Sequence, residues 1–205
     1  NIKNNQNSNA LMLASYAGHE AIVKLLLTNK ADINTKDLHG DTALMYASYN
    51  NHKQIVEILI QANAKIDDIN NEGFTALMMA SQNGHKEIVE LLLANKANIN
   101  NKSIEGYTAL MLACQNGYKD IVEILLQADA NVNTKNKYGY TSLMIASVRG
   151  HKEIVELLID KGASINTKNE YGFTALMLAS RYDHKEIVEM LIKSDANVNV
   201  NATDI

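Results

Sequence analysis

Apolar residues return along this chain in short bursts of two kinds, and both kinds recur every 33 residues. The first is a run such as "TALMYAS", in which Leu44, Ala47 and Ser48 stand at i, i+3 and i+4 and so mark one face of a short helix. The second is a run such as "HKEIVELLL", with Ile88, Val89, Leu91 and Leu92 on the side expected to be buried and Lys86, Glu87 and Glu90 outside. A polar stretch such as "NVNTKNKYGY" follows each second burst and fits an extended finger with a turn. Leu11, Leu44, Leu77, Leu110, Leu143 and Leu176 keep the 33-residue spacing without an insertion. The register therefore covers essentially the whole chain as six helix-turn-helix units, at about 4–36, 37–69, 70–102, 103–135, 136–168 and 169–201, in one expected domain over 1–205.

Each repeated column has a physical job. Thr42, Thr75, Thr108, Thr141 and Thr174 precede the first burst, where a hydroxyl can accept from the exposed N–H groups of a first helical turn, and Asn9 holds that place in the first unit. Ala14, Ala47, Ala80, Ala113, Ala146 and Ala179 are small enough to let neighbouring helices approach closely. Gly18, Gly84, Gly117 and Gly150 end the first helix where φ turns positive, and Asn51 and Asp183 fill that column in the other two units. Helices of this length are marginal alone, because isolated helices under about 12 to 15 residues barely persist in water. Stacking of units has to supply the stability.

With "GDTALMYAS", "NGHKEIVELLL" and "ANVN" in this register, the chain resembles the ankyrin repeats over all six units. The resemblance implies an all-α repeat solenoid of helix pairs joined by β-turn fingers. Where that family has Thr-Pro-Leu-His, this chain has Thr-Ala-Leu-Met, with Ser142 for Ala in the fifth unit and Asn9 for Thr in the first. Ala is a good helix former at the first helical position, so the helix survives the loss of Pro. Met12, Met45, Met78, Met111, Met144 and Met177 are expected to replace a hydrogen-bonding histidine column with adaptable apolar packing.

Composition narrows the function classes. There is no Pro and no Trp, and the formal charge of -4 comes from 19 basic and 23 acidic residues that alternate without forming blocks. That argues against nucleic acid as the main partner, since phosphates reward clustered Lys and Arg. No apolar run approaches the ~20 residues of a membrane span, so no membrane partner is expected. Cys114 is the single cysteine, which excludes an intramolecular disulfide and favours a cytosolic origin. The Asn-rich start without Met reads as a fragment or a processed product, not a signal peptide.

Candidate chemistry dissolves into the repeat. His19, His52, His85, His151 and His184 fall in one column, with Tyr118 in the sixth place. Packed helices stand roughly 8–10 Å apart, whereas zinc needs each nitrogen at about 2.0–2.1 Å. No metal is therefore expected. Cys114 shares its column with Ser15, Ser48, Ser81, Ser147 and Ser180 and reads as a small packed residue, not a nucleophile. Asp67 and Asp68 sit in a finger and read as solvated surface, since acid–base work needs a buried carboxyl. No phosphate loop, dinucleotide turn or HExxH occurs, so no enzyme and no cofactor are expected.

What the repeat leaves free are the positions that differ between units. The resemblance implies that the finger tips and the exposed side of the first helix form a concave surface that grips partners. Of the nine Tyr and two Phe, nine fall there, Tyr46 and Tyr118 being the exceptions. Phe74, Tyr107, Tyr140 and Phe173 form a ladder of one ring per unit, which can serve a partner or simply cover the neighbouring finger. The cluster of Tyr138, Tyr140, Arg149, Tyr171, Phe173, Arg181 and Tyr182 in the last two units is better explained by binding, because Tyr and Arg are enriched at interface hot spots. With Tyr49, Phe74 and Tyr107 it forms the candidate partner-binding set. The expected function is a non-catalytic scaffold for another protein or peptide. Alternatives are a homo-oligomer stacking through terminal repeats, since "EAIVKLLL" and "KEIVEMLI" keep the interior pattern at the two ends, and a positioning module of a larger multidomain protein.

Overall fold

The computed structural model describes residues 2–194 and contains, among them, twelve α-helices and no strand. Contacts group the chain into two compact units, Asn1–Ile104 and Glu105–Ile205, the division falling at the start of the fourth expected repeat. The first unit holds α1 (Ala10–Ala17), α2 (Glu20–Thr28), α3 (Ala43–Tyr49), α4 (Lys53–Gln61), α5 (Ala76–Gln82) and α6 (Lys86–Ala94). The second holds α7 (Ala109–Asn116), α8 (Lys119–Gln127), α9 (Ser142–Arg149), α10 (Lys152–Asp160), α11 (Ala175–Arg181) and α12 (Lys185–Ser194).

Helix starts follow the capping column. Thr75 Oγ1 accepts from the Met78 N–H at 3.3 Å, and Thr42, Thr108, Thr141 and Thr174 do the same for Met45, Met111, Met144 and Met177. Asn9 Oδ1 takes the Met12 N–H at 2.9 Å. Helix ends follow the turn column: Gly18, Gly84, Gly117 and Gly150 have positive φ, and so do Asn51 and Asp183. Thus the non-glycine members adopt the left-handed conformation, which Asn and Asp tolerate better than most residues.

Within each unit, first helices pack on first helices and second on second: α1 with α3 and α3 with α5, α2 with α4 and α4 with α6, then α7 with α9 and α9 with α11, α8 with α10 and α10 with α12. The core is aliphatic, with Leu44, Met45, Ala47, Leu77, Met78 and Ala80 all buried in the first unit and Leu110, Met111, Ala113, Leu143, Met144 and Ala146 in the second. Truncating one such Leu to Ala would cost about 2–5 kcal/mol. On α6, Ile88, Val89 and Leu92 are buried as expected, but Leu91 is only half-buried. It sits at the edge of the apolar stripe, one residue off the i, i+4 row that Ile88 and Leu92 define.

Methionine replaces the family's first-helix histidine as apolar packing, Met12, Met45, Met78, Met111 and Met144 being buried and Met177 half-buried. Polar ties between repeats come instead from the second-helix histidines. Nε2 of His52 lies 3.0 Å from the Tyr16 carbonyl, that of His85 2.8 Å from the Tyr49 carbonyl, and that of His184 3.0 Å from the Val148 carbonyl. A carbonyl oxygen only accepts, so each of these nitrogens carries the hydrogen.

Candidate functional site

The fingers that begin at Asp37, Asn70, Asn136 and Asn169 are each shaped by that one side chain. Asn136 Oδ1 accepts from the backbone N–H of Tyr138 at 3.0 Å and of Tyr140 at 2.9 Å. Asn169 serves Tyr171 and Phe173, Asn70 serves Glu72 and Phe74, and Asp37 serves His39 and Asp41 in the same way. These side-chain turns tolerate a tight backbone reversal because the side-chain oxygen, a carboxamide in Asn and a carboxylate in Asp37, replaces a main-chain acceptor. Finger tips then join across repeats by backbone bonds: Asn71 N–H to the His39 carbonyl and Ile104 N–H to that of Glu72 in the first unit, Lys137 N–H to that of Glu105 and Glu170 N–H to that of Tyr138 in the second. The rings of the fingers are thus presented by a hydrogen-bonded frame.

In the second unit, Tyr107, Tyr138, Tyr140 and Arg149 line one cleft of about 160 Å3 together with Gln115, Ile145 and Val148. Tyr138, Tyr171 and Tyr182 are exposed at 41%, 54% and 51%, and Arg149 and Arg181 are exposed with them. Tyr107, Tyr140 and Phe173, the ladder rings of this unit, are half-buried. The Arg181 guanidinium stands over the Phe173 ring at 5.6 Å from its centroid, a cation–π arrangement. Burial pushes the Tyr140 phenol above its ordinary value, with the neighbouring Tyr182 and Tyr171 adding to the rise. The Tyr138 hydroxyl and then the Lys137 ammonium hold the Glu105 carboxyl below the usual carboxylate range, and the same contact raises Tyr138.

The remaining two members of the candidate set lie in the first unit. Tyr49 and Phe74 line a larger cleft, about 400 Å3, with Tyr16, Tyr46, Asp41 and Glu72. Tyr46 is fixed there by a hydrogen bond from its hydroxyl to Asp37 Oδ2 at 2.5 Å and by an edge-to-face contact with Tyr16, centroids 5.7 Å apart at 85°. Burial, then the Asp37 hydrogen bond, raises the Tyr46 phenol. Burial also raises Asp41, against the Asn70 amide that donates to its Oδ1 at 2.8 Å. In the sequence Tyr46 is one of the two rings outside the groups on the finger tips and the exposed side of the first helix. The signal was available: Asp41 interrupts the ring ladder and Tyr46 interrupts the aliphatic column in the same repeat, so the ring has moved from finger to helix.

Other polar columns are occupied by structure. Lys36 Nζ donates to the Ile69 carbonyl at 2.6 Å and Lys135 Nζ to the Lys168 carbonyl at 2.9 Å. Asp67 Oδ1 takes the Asn98 N–H at 2.8 Å, and Asp68 pairs with Lys36 at 4.0 Å, so this acidic pair ties neighbouring fingers. Cys114 is fully buried and burial pushes its thiol well above its ordinary value. Among the described residues no three His, Cys, Asp or Glu are close enough to share a metal ion, and no helix is long and apolar enough to cross a membrane. Asn201-Ala202-Thr203, which matches the glycosylation triplet in sequence, lies outside the described residues.

No curated protein matches the chain. The family model described as ankyrin repeats in three copies matches four overlapping stretches, residues 1–70, 63–136, 95–169 and 130–204. Together with the capped helix pairs and the finger frame, this match makes the chain a member of the ankyrin-repeat family.

Proposed function

We propose that the chain is a non-catalytic scaffold that binds a partner protein or peptide through the finger and first-helix face of the Glu105–Ile205 unit. Ankyrin repeats are in general protein-interaction modules. The observation that carries the finer reading is the exposure of Tyr138, Tyr171 and Tyr182 in a chain whose core is otherwise aliphatic. Exposed rings on a rigid frame lose little rotamer freedom on binding, and with Arg149 and Arg181 beside them they match the residue types that dominate interface energies. A contact of ~600 to 1,000 Å2 would suffice for a specific partner. The test is affinity capture with the intact chain as bait against the Tyr138→Ala, Tyr171→Ala, Tyr182→Ala triple variant. Loss of the captured protein supports the assignment, and undiminished capture rejects it.

Self-association is the second reading, supported by the first repeat. Leu13, Ile22 and Leu25 are exposed there, Leu25 at 63%, whereas Ile55, which occupies the Ile22 position one repeat on, is buried. An apolar face of that kind invites a second copy. Light scattering over a range of concentrations decides it, a concentration-independent monomer dismissing the stack.

A further inference from the structure

The cleft of the Asn1–Ile104 unit plays no part in the partner face proposed above, yet its walls are chemically distinctive. Tyr16, Tyr46, Tyr49 and Phe74 supply aromatic surface and Asp41 and Glu72 supply carboxylates. Tyr46 is locked by Asp37 and braced by Tyr16, so this pair of rings is held in place before any ligand arrives. Asp41 is raised by burial, against the hydrogen bond from Asn70, and further by the charges of Asp37 and Glu72, with His39 opposing them. An aromatic and anionic cavity with negative charge held at a cost is complementary to a cation.

The repeat register indicates which cation. In the sixth repeat Arg181 lies over the ring of Phe173 at 5.6 Å. Phe74 and Gln82 occupy the same two register positions in the third repeat, and Gln82 lines the cleft. The ring is retained there, the internal guanidinium is missing, and carboxylates have been added. We propose that this cleft binds the guanidinium group of an arginine in a partner peptide, stacked on Phe74 and the tyrosines and forked onto Asp41 and Glu72. A planar guanidinium can do both at once, whereas an ammonium offers a point charge without a stacking face. This names a second site and its ligand class, and it stands or falls separately from the tyrosine face of the other unit.

The test is an amide NMR titration of the full chain with acetyl-Gly-Arg-Gly-amide, and with its citrulline and lysine counterparts. Citrulline keeps the shape and loses the charge. The arginine peptide should produce saturable shifts at Asp41, Tyr46 and Phe74, with binding about tenfold weaker for citrulline. The Asp41→Asn, Glu72→Gln double variant should lose the response, while its remaining amide spectrum shows it folded. Asparagine at 41 keeps the acceptor that Asn70 uses. Absence of shifts, an equal response to citrulline, or an undiminished response in the double variant overturns the proposal; tighter binding of the lysine peptide overturns the guanidinium assignment. Shifts confined to Tyr138 and Tyr171 would also overturn it while favouring the face proposed above.

Discussion

Nε2 of His52 donates to the carbonyl oxygen of Tyr16 across 3.0 Å, and the same imidazole lies over Gly18, where an added Cβ would meet Cε1 at 2.7 Å. One side chain thus satisfies an orphan carbonyl at the end of the previous repeat's first helix and fills the space that the glycine leaves open. The histidine column is a fastening between repeats.

Two substitutions separate the parts of this fastening. His52→Ala should lower stability by about 1–2 kcal/mol through the lost hydrogen bond and packing, read from the guanidinium denaturation midpoint. Gly18→Ala should cost more than Gly162→Ala. Both positions have φ near +80°, but nothing lies within 4 Å of a Cβ at Gly162, so the difference between them isolates the clash with His52. Equal effects would mean that the imidazole is not packed as described.

The finger frame makes a second prediction. Asn136→Ala leaves the N–H groups of Tyr138 and Tyr140 without their side-chain acceptor and should destabilise by about 1–3 kcal/mol. Asn136→Asp keeps an acceptor, as Asp37 does naturally in the second repeat, and should lose less. Denaturation midpoints of the two variants rank them. An alanine variant as stable as the parent would show that the turn is held by the backbone alone.

Much of this frame is legible from sequence because it depends on local rules. The Thr75 cap, the Gly150 turn and the Leu77 and Ala80 faces each follow from residue type and spacing. The Asn136 column escapes such reading because an asparagine among many polar finger residues looks like solvated loop, and only the backbone path shows that its oxygen reaches two amides. Tyr46 escapes for a different reason. Its partner Asp37 is nine residues away, outside helical spacing, so neither residue predicts the other. Likewise the placement of the second-helix histidines is legible, but their acceptors lie 36 residues back and depend on how repeats pack.

Asp41 gives a prediction with a definite sign. Its carboxyl is raised above the ordinary 3.8 chiefly by burial, so folding disfavours its ionised form. That penalty is full above the folded value and vanishes below the unfolded one. The parent chain should therefore recover stability relative to Asp41→Asn as the pH falls through the window above 3.8. In thermal melts the asparagine variant should be the more stable at pH 7, with the gap narrowing by pH 4. A gap that widens on acidification would contradict the placement of Asp41.

On the function proposed above, the repeated columns hold the chain together while the exposed rings of the second unit are left for a partner. The most direct measurement is the guanidinium denaturation curve of the Tyr138→Ala, Tyr171→Ala, Tyr182→Ala variant beside that of the parent. The change should be no more than about 0.5 kcal/mol per substitution, as for largely exposed positions. A loss of several kcal/mol would show that these tyrosines cover the fingers and are part of the fold.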